Sequence, residues 1–426
     1  MQNYDVVVVG GGPAGGHCAR LLTQQGYRVL LVERYKDFER NSFSSAGVPL
    51  EAIEKYNLPE SVIGTYWNEL VIVTSKKKGV WTADSPQGGV LDFAKLRQFL
   101  ADETLRQGGT VWMGCRYVNH SVEGDTVTTT IKNNLTGTTE TVQSRLLVDA
   151  TGAARAITRR KGIEKPALMS ASGVEYLIKV DNSTYRRHSQ ALAFLLGYKW
   201  MPKGYSWVFP MQENYLKVGA AYLDKKHKIS AAEQKRPLKY YIELLISEYL
   251  DPKTFDIVDI HGEAVRYSLG LQDIYWEDGV IAIGDTVSTI NFLGGEGIRH
   301  AMHSAEIAQG HIVRFLAGET KTLEAYRTEM HDVFLKKWQI SERLALKKYS
   351  EDPDDLVDKI VSYLRPMPLE EVIDVLFFYK FEKVTKGLGR YLFFKAVSNL
   401  KKLPHRLKQI SGLSRLRNFS AKASTD

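Results

Sequence analysis

Apolar residues fall along this chain in three kinds of run, and their order predicts the architecture. Residues 4–9 are continuously apolar after Asp5, as in a strand covered on both faces. Residues 13–25 instead bring Ala14, Cys18, Leu21 and Leu22 to one helical face, with Gly26 placed to end the helix. Residues 28–33 return to the strand pattern. Strand, helix and strand in that order predict parallel neighbours in one sheet. A further helix is predicted over 92–107, and strands over 110–113, 126–131 and 145–149. Residues 172–180, 190–196, 205–210 and 215–223 read as strands of a second sheet, the last two joined as a hairpin through 211–214. A buried strand over 279–284 and a long helix over 297–316 follow, and from Leu323 onward the pattern is helical.

The predicted fold is α/β. A nucleotide-binding domain over 1–165 is completed by 262–320, and part of 60–90 is contributed to the other sheet. A mixed or antiparallel substrate sheet is inserted over 166–261, and a helical region fills 321–426. At 426 residues there is room for several packed units, and 44% hydrophobic against 25% charged residues is the balance of a globular protein. No run reaches the roughly 18 apolar residues of a membrane span, and the strand at residue 4 leaves no space for a signal peptide. With only Cys18 and Cys115, a disulfide framework is not expected and a reducing, cytoplasmic setting is.

The net charge of +8 is unevenly placed. Twelve Lys/Arg from Lys380 onward face only Glu382 and Asp426, so that tail carries +10 and the preceding body −2. Phe377, Phe378, Phe381, Tyr391, Phe393 and Phe394 are interleaved with these cations. That composition predicts an anionic membrane surface as partner, with a solvated helical cap as the alternative. No nucleic-acid recognition module accompanies the charge. His300 and His303 lack the company of a metal-ligand set, so no metal is expected.

The first chemical motif is Gly10-Gly11-Gly12-Pro13-Ala14-Gly15, a G-x-G-x-x-G placed between strand and helix. Gly10 permits the tight turn, Gly12 lets backbone approach a pyrophosphate, and Gly15 allows close packing, while the helix N-terminus favours the anion. Glu33 ends the next strand, 18 residues after Gly15, where its carboxylate can accept from ribose hydroxyls. Far downstream, Gly284-Asp285 closes a strand, and Gly294-Gly295-Glu296-Gly297-Ile298 opens a long helix. A carboxylate there can hold a ribityl hydroxyl, and the helix N-terminus can stabilise negative charge on a reduced flavin. These two segments together favour FAD over NAD in a Rossmann-type domain.

Gly10–Gly15, Glu33-Arg34, Asp149-Ala150-Thr151-Gly152 and Gly284-Asp285 together resemble the flavoprotein superfamily with the para-hydroxybenzoate hydroxylase fold. Within it, Tyr205-Ser206-Trp207-Val208-Phe209-Pro210 is similar to the Y-x-W-x-F-P motif of geranylgeranyl reductases, and Gly295-Glu296-Gly297-Ile298 to their G-E-G-I. The resemblance implies FAD held by Gly10, Gly12, Pro13, Ala14, Gly15, Glu33, Arg34, Asp149, Gly152, Gly284, Asp285, Gly294, Gly295, Gly297 and Ile298. It also implies reduction of carbon–carbon double bonds in a polyprenyl chain by hydride from the flavin. NADPH or reduced ferredoxin would be the reductant, and Tyr205, Trp207, Phe209 and Pro210 would line an apolar tunnel. Three places depart from the family: Ser44-Ser45 stands where archaeal members often carry Cys-Gly, Phe93 where many have Arg, and Phe292 where Pro is usual. Arg97, one helical turn beyond Phe93, is placed to reach the cofactor instead. Two other functions share the fold: an FAD monooxygenase acting on a lipophilic aromatic, and a non-catalytic FAD-retaining lipid-binding protein.

Overall fold

The computed structural model describes residues 2–39, 44–158, 168–224, 236–350, 354–384 and 389. Val6–Val9 is four fully buried valines, each contributing roughly 1.5–3 kcal/mol on burial. This strand sits near the centre of a six-stranded sheet ordered Trp276–Glu277, Val280–Ala282, Leu146–Asp149, Val6–Val9, Val29–Val32, Thr110–Trp112. All neighbours are parallel except the edge pair Trp276–Glu277 with Val280–Ala282. Helix Pro13–Gln24 packs on this sheet and against helices Phe93–Arg106 and Ile298–Leu316, through Ala14, Cys18, Ala19 and Leu22. Cys18 and Cys115 are both free thiols.

The second large sheet has seven strands: Phe255–Ser268, Leu168–Val180, Tyr215–Asp224, Gly204–Pro210, Ala191–Leu196, Glu69–Val73 and Lys78–Thr82. Its neighbours are antiparallel except Ala191–Leu196 with Glu69–Val73. Two strands of it therefore come from far upstream, and the edge strand Phe255–Ser268 runs straight through the boundary expected at residue 261. One face packs on helix Leu238–Leu245 through Ile178, Val208, Val218 and Leu245. The other faces the nucleotide-binding half. A three-stranded sheet of Gly47–Pro49, Gly88–Leu91 and Ile63–Trp67 and a four-stranded sheet ending in Cys115–Glu123 complete the strands. The contribution expected from part of 60–90 to the second sheet is the pair Glu69–Val73 and Lys78–Thr82, whereas the three short strands Gly47–Pro49, Ile63–Trp67 and Gly88–Leu91 carry no long alternating pattern and were not predicted.

The predicted C-terminal helices are Glu324–Met330, Lys336–Ser350, Asp354–Leu364 and Leu369–Leu376. Of the basic tail only Lys380 and Lys383 are among the described residues, and both pair with Asp374. The other ten cations lie outside them. No helix among the described residues is long and apolar enough to cross a membrane.

Candidate functional site: a cleft between the two sheets

A cleft with a cavity volume of about 330 Å³ opens between the glycine fingerprint and the inner face of the seven-stranded sheet. This lies at the lower end of the roughly 300–1,000 Å³ of small-molecule sites. Its cofactor-side wall is Gly12, Pro13, Ala14, Gly152, Asp285, Gly295, Gly297 and Ile298.

The three fingerprint glycines have different jobs. A Cβ on Gly10, whose φ is +112°, would fall 2.3 Å from Ala150 O, and one on Gly15 would fall 1.9 Å from Gly10 O. Both therefore serve close backbone packing. A Cβ on Gly12 would meet nothing within 4 Å, so this residue borders open space. Gly12 is also the N-cap of helix Pro13–Gln24 and offers no side-chain cap, so the first helical N–H groups are left for a ligand. Helix Ile298–Leu316 begins the same way at Gly297.

Acidic residues near these loops divide similarly. Asp285 Oδ1 accepts from Thr289 Oγ1 and Ile290 N, both at 3.0 Å, while Oδ2 has no donor among the described residues. Burial pushes this carboxyl up, partly offset by the Thr289 hydrogen bond. A group of that kind can receive a ligand hydroxyl. Glu33 is buried, with Oε2 accepting from Gly11 N at 2.9 Å and Oε1 from Tyr35 N at 2.9 Å. Arg97 reaches Glu33 at 3.4 Å and also donates to Gly11 O, with its guanidinium over the Phe38 ring. Arg97 thus braces the acid and the glycine turn. Arg34 is exposed, over the Tyr35 ring.

Two of the expected site residues lie away from the cleft. Asp149 does not face the cleft: its two oxygens accept from Thr151 N and Oγ1, Ile157 N, and Thr158 N and Oγ1. It staples the following loop, because five local donors consume its acceptor capacity. Pro210 does not line the cleft either. It pairs with Leu216 at the strand end, beside the hairpin turn. Gly284, with φ +65°, takes a left-handed turn, and a Cβ added there would fall 2.6 Å from Ala14 Cβ.

The opposite wall is built by alternation along strands. Tyr205 and Trp207 face the cleft, while Ser206 and Val208 are buried on the far face. Phe209 lines a smaller adjoining cavity with Phe194, Glu296 and Phe377. Tyr205 OH donates to Gly294 O at 2.7 Å, which ties the aromatic motif to the second glycine loop. The Lys348 ammonium lies 5.8 Å from the Tyr205 ring centre, and burial pushes it down to about 8.

Sequence reasoning missed the polar network behind this loop. Glu296 accepts from Arg299 Nε at 2.8 Å and from Tyr379 OH at 2.7 Å, and lies 3.2 Å from His300 Nε2. Burial pushes the Glu296 carboxyl up, yet His300 and Arg299 outweigh it and hold the group at about 2. Arg299 donates to Phe377 O at 2.6 Å. Missed too were Glu175 and Lys217, charged residues inside otherwise apolar strands. That anomaly was the available signal.

The cradle at Gly12, the uncapped helix start and the free Asp285 oxygen fit a dinucleotide with a hydroxylated linker. Residues 3–339 match the family model described as FAD binding domain. The chain belongs to that family. It is an FAD-dependent oxidoreductase. It is 28% identical over 344 residues to digeranylgeranylglycerophospholipid reductase of Haloferax volcanii, covering 78% of this chain and 81% of the relative. The corresponding reductase of Methanocaldococcus jannaschii is 25% identical over 406 residues, covering 92% and 97%. A solved geranylgeranyl bacteriochlorophyll reductase-like protein from Thermoplasma acidophilum superposes with a TM-score of 0.75 at 21% identity, over 92% of this chain and all of that one. No cluster of three metal-ligating side chains occurs among the described residues.

Proposed function

We propose that this oxidoreductase reduces carbon–carbon double bonds of a polyprenyl lipid chain lying in the cleft between the glycine loops and the seven-stranded sheet. The observation that carries this reading is the wall facing the cofactor cradle. Tyr205 and Trp207 stand beside Ala171, Gly173, Ala221, Leu223 and Val265, an apolar surface with small residues where a branched chain can lie. The names of the relatives support the same substrate class.

FAD would be held by Gly12, Pro13, Ala14 and Gly152 around the phosphates, by Glu33 and Arg97 at the adenosine end, and by Asp285, Gly295, Gly297 and Ile298 towards the ring. When bound it supplies the hydride. The residues of this chain exclude water from an unactivated alkene, grip it against Trp207 and Tyr205, and leave the start of helix Ile298–Leu316 to stabilise negative charge. NADPH or reduced ferredoxin supplies the electrons. The basic tail places the enzyme at an anionic membrane surface where such a substrate resides.

Anaerobic turnover separates this function from aromatic hydroxylation on the same fold. With chemically reduced flavin and a geranylgeranyl lipid, mass spectrometry is expected to show product heavier by two hydrogens per bond, without oxygen. An absolute requirement for oxygen would overturn the reading in favour of a monooxygenase. Flavin that binds but never reoxidises with the lipid would identify a non-catalytic carrier.

A further inference from the structure

Behind the apolar wall lie two buried charged residues for which the proposed chemistry so far has no use. Glu175 and Lys217 are 4% and 8% exposed, on adjacent strands of the inner sheet face. Glu175 stands opposite Gly219, and Gly219 stands opposite Trp207 on the next strand. The three form one row across the sheet, with no side chain at its centre. The indole fills that gap. A Cβ on Gly219 would fall 2.1 Å from Trp207 Cζ2 and 2.3 Å from Cε2. Trp207 Nε1–H thereby reaches across the middle strand and donates to Glu175 Oε2 at 2.8 Å.

The other Glu175 oxygen has no donor among the described residues. Burial pushes the carboxyl up, opposed by Lys217 and by the indole hydrogen bond. Lys217 Nζ donates to Ser44 O at 2.9 Å and Leu91 O at 3.1 Å. Ser44 lines the cleft across from Trp207. The two residues therefore touch both sides of the channel, one through an indole and the other through a backbone carbonyl. A buried carboxylate is costly to keep beside apolar surface unless a cation and a donor compensate it.

We propose that Glu175 is a positioning residue that holds the Trp207 indole across Gly219 and so sets the bore of the prenyl channel. Trp207 touches the substrate and Glu175 acts through it. This inference rests on the reading of the cleft as a prenyl-chain site. Without the hydrogen bond the indole swings about its side-chain torsions, and the channel no longer discriminates between chains of different length.

The test uses the full-length holoprotein with geranylgeranyl and farnesyl diphosphates as probes, after flavin content and circular dichroism have confirmed folding. Glu175→Leu is expected to raise KM for the longer probe about fivefold, the factor an ordinary net hydrogen bond carries, with kcat nearly unchanged. Glu175→Gln keeps an acceptor and should restore most of the loss. Trp207→Phe removes the donor and should match Glu175→Leu, and the double variant should be no worse than either. Additive effects, or a wild-type KM in Trp207→Phe, would overturn the proposal even if Glu175→Leu does not fold. A substrate-free readout keeps it separate from the functional reading. The ¹⁵N-indole signal of Trp207, assigned by its absence in Trp207→Phe, should shift in Glu175→Gln. If the wild type turns over neither probe, the prenyl reading fails. An unmoved indole signal would sink the positioning role by itself.

Discussion

The two sheets that meet at the cleft are built from very different stretches of chain. The parallel sheet takes its nucleotide-binding turn from one continuous passage, in which Val6–Val9, Pro13–Gln24 and Val29–Val32 follow each other without interruption. The antiparallel sheet gathers Glu69–Val73 and Lys78–Thr82 from one part of the chain and five strands from beyond residue 167. The first half exposes backbone, at Gly12 and at helix starts. The second presents side-chain shape, with a glycine used to make room for an indole. In the proposed function, a cofactor common to many enzymes is met by local backbone, whereas the grip on a particular substrate is assembled at long range.

Three glycine substitutions sharpen this contrast and carry the largest expected effects. Gly15→Val would drive its side chain into Gly10 O, so soluble yield should collapse. Gly12→Val meets no protein atom and should fold, but as colourless protein, because its side chain occupies the pyrophosphate space. Gly219→Ala should stay yellow and lose prenyl turnover, since its methyl displaces Trp207. Absorbance spectra and yields of the three variants check the set. A yellow Gly12→Val protein would break the assignment of that half.

A smaller effect concerns the seam between the halves. Glu296 titrates at about 2 in the fold against 4.5 as its ordinary value. Its contribution is present above the ordinary value and is lost as pH falls through that interval, and is on the order of 3 kcal/mol. Burial holds His300 below its ordinary value, which removes stability in the same acid direction. The thermal midpoint of wild type should therefore drop more steeply from pH 6 to pH 3 than that of Glu296→Gln. Parallel curves would show that the network carries no such linkage.

The smallest effect belongs to the tail. Each cation near an anionic surface contributes about 1 kcal/mol, weakened by salt. In flotation at low salt, the full chain should rise with anionic vesicles and a chain truncated after Gly387 should not. Equal flotation of both would exclude the tail as the anchor.

Legibility followed the same division. The fingerprint glycines, Glu33 and Asp285 could be read because their spacing along the chain is what the geometry requires. The alternation at Tyr205, Trp207 and Phe209 was equally local. Asp149 could be read from the sequence either as a cofactor contact or as a local hydrogen-bond acceptor, because a family motif says nothing about which donors surround it, and here five backbone and hydroxyl groups do. Glu175 and Lys217 sit on strands far apart in sequence, and their relation depends on the register in which those two strands pair. The Glu296 network draws on Tyr379, more than eighty residues away. Nothing in the sequence near Glu296 announces it.

The parallel pairing of Glu69–Val73 with Ala191–Leu196 has a consequence during synthesis. Residues 69–82 leave the ribosome able to pair only with each other, and the strand that covers their remaining edge follows about 120 residues later. At usual elongation rates that interval is on the order of ten seconds. Throughout it, Leu70 and Ile72, later fully covered, are open to other chains. Recovery of this protein from a host should therefore depend on translation speed and chaperone supply more than on the equilibrium stability of the finished fold.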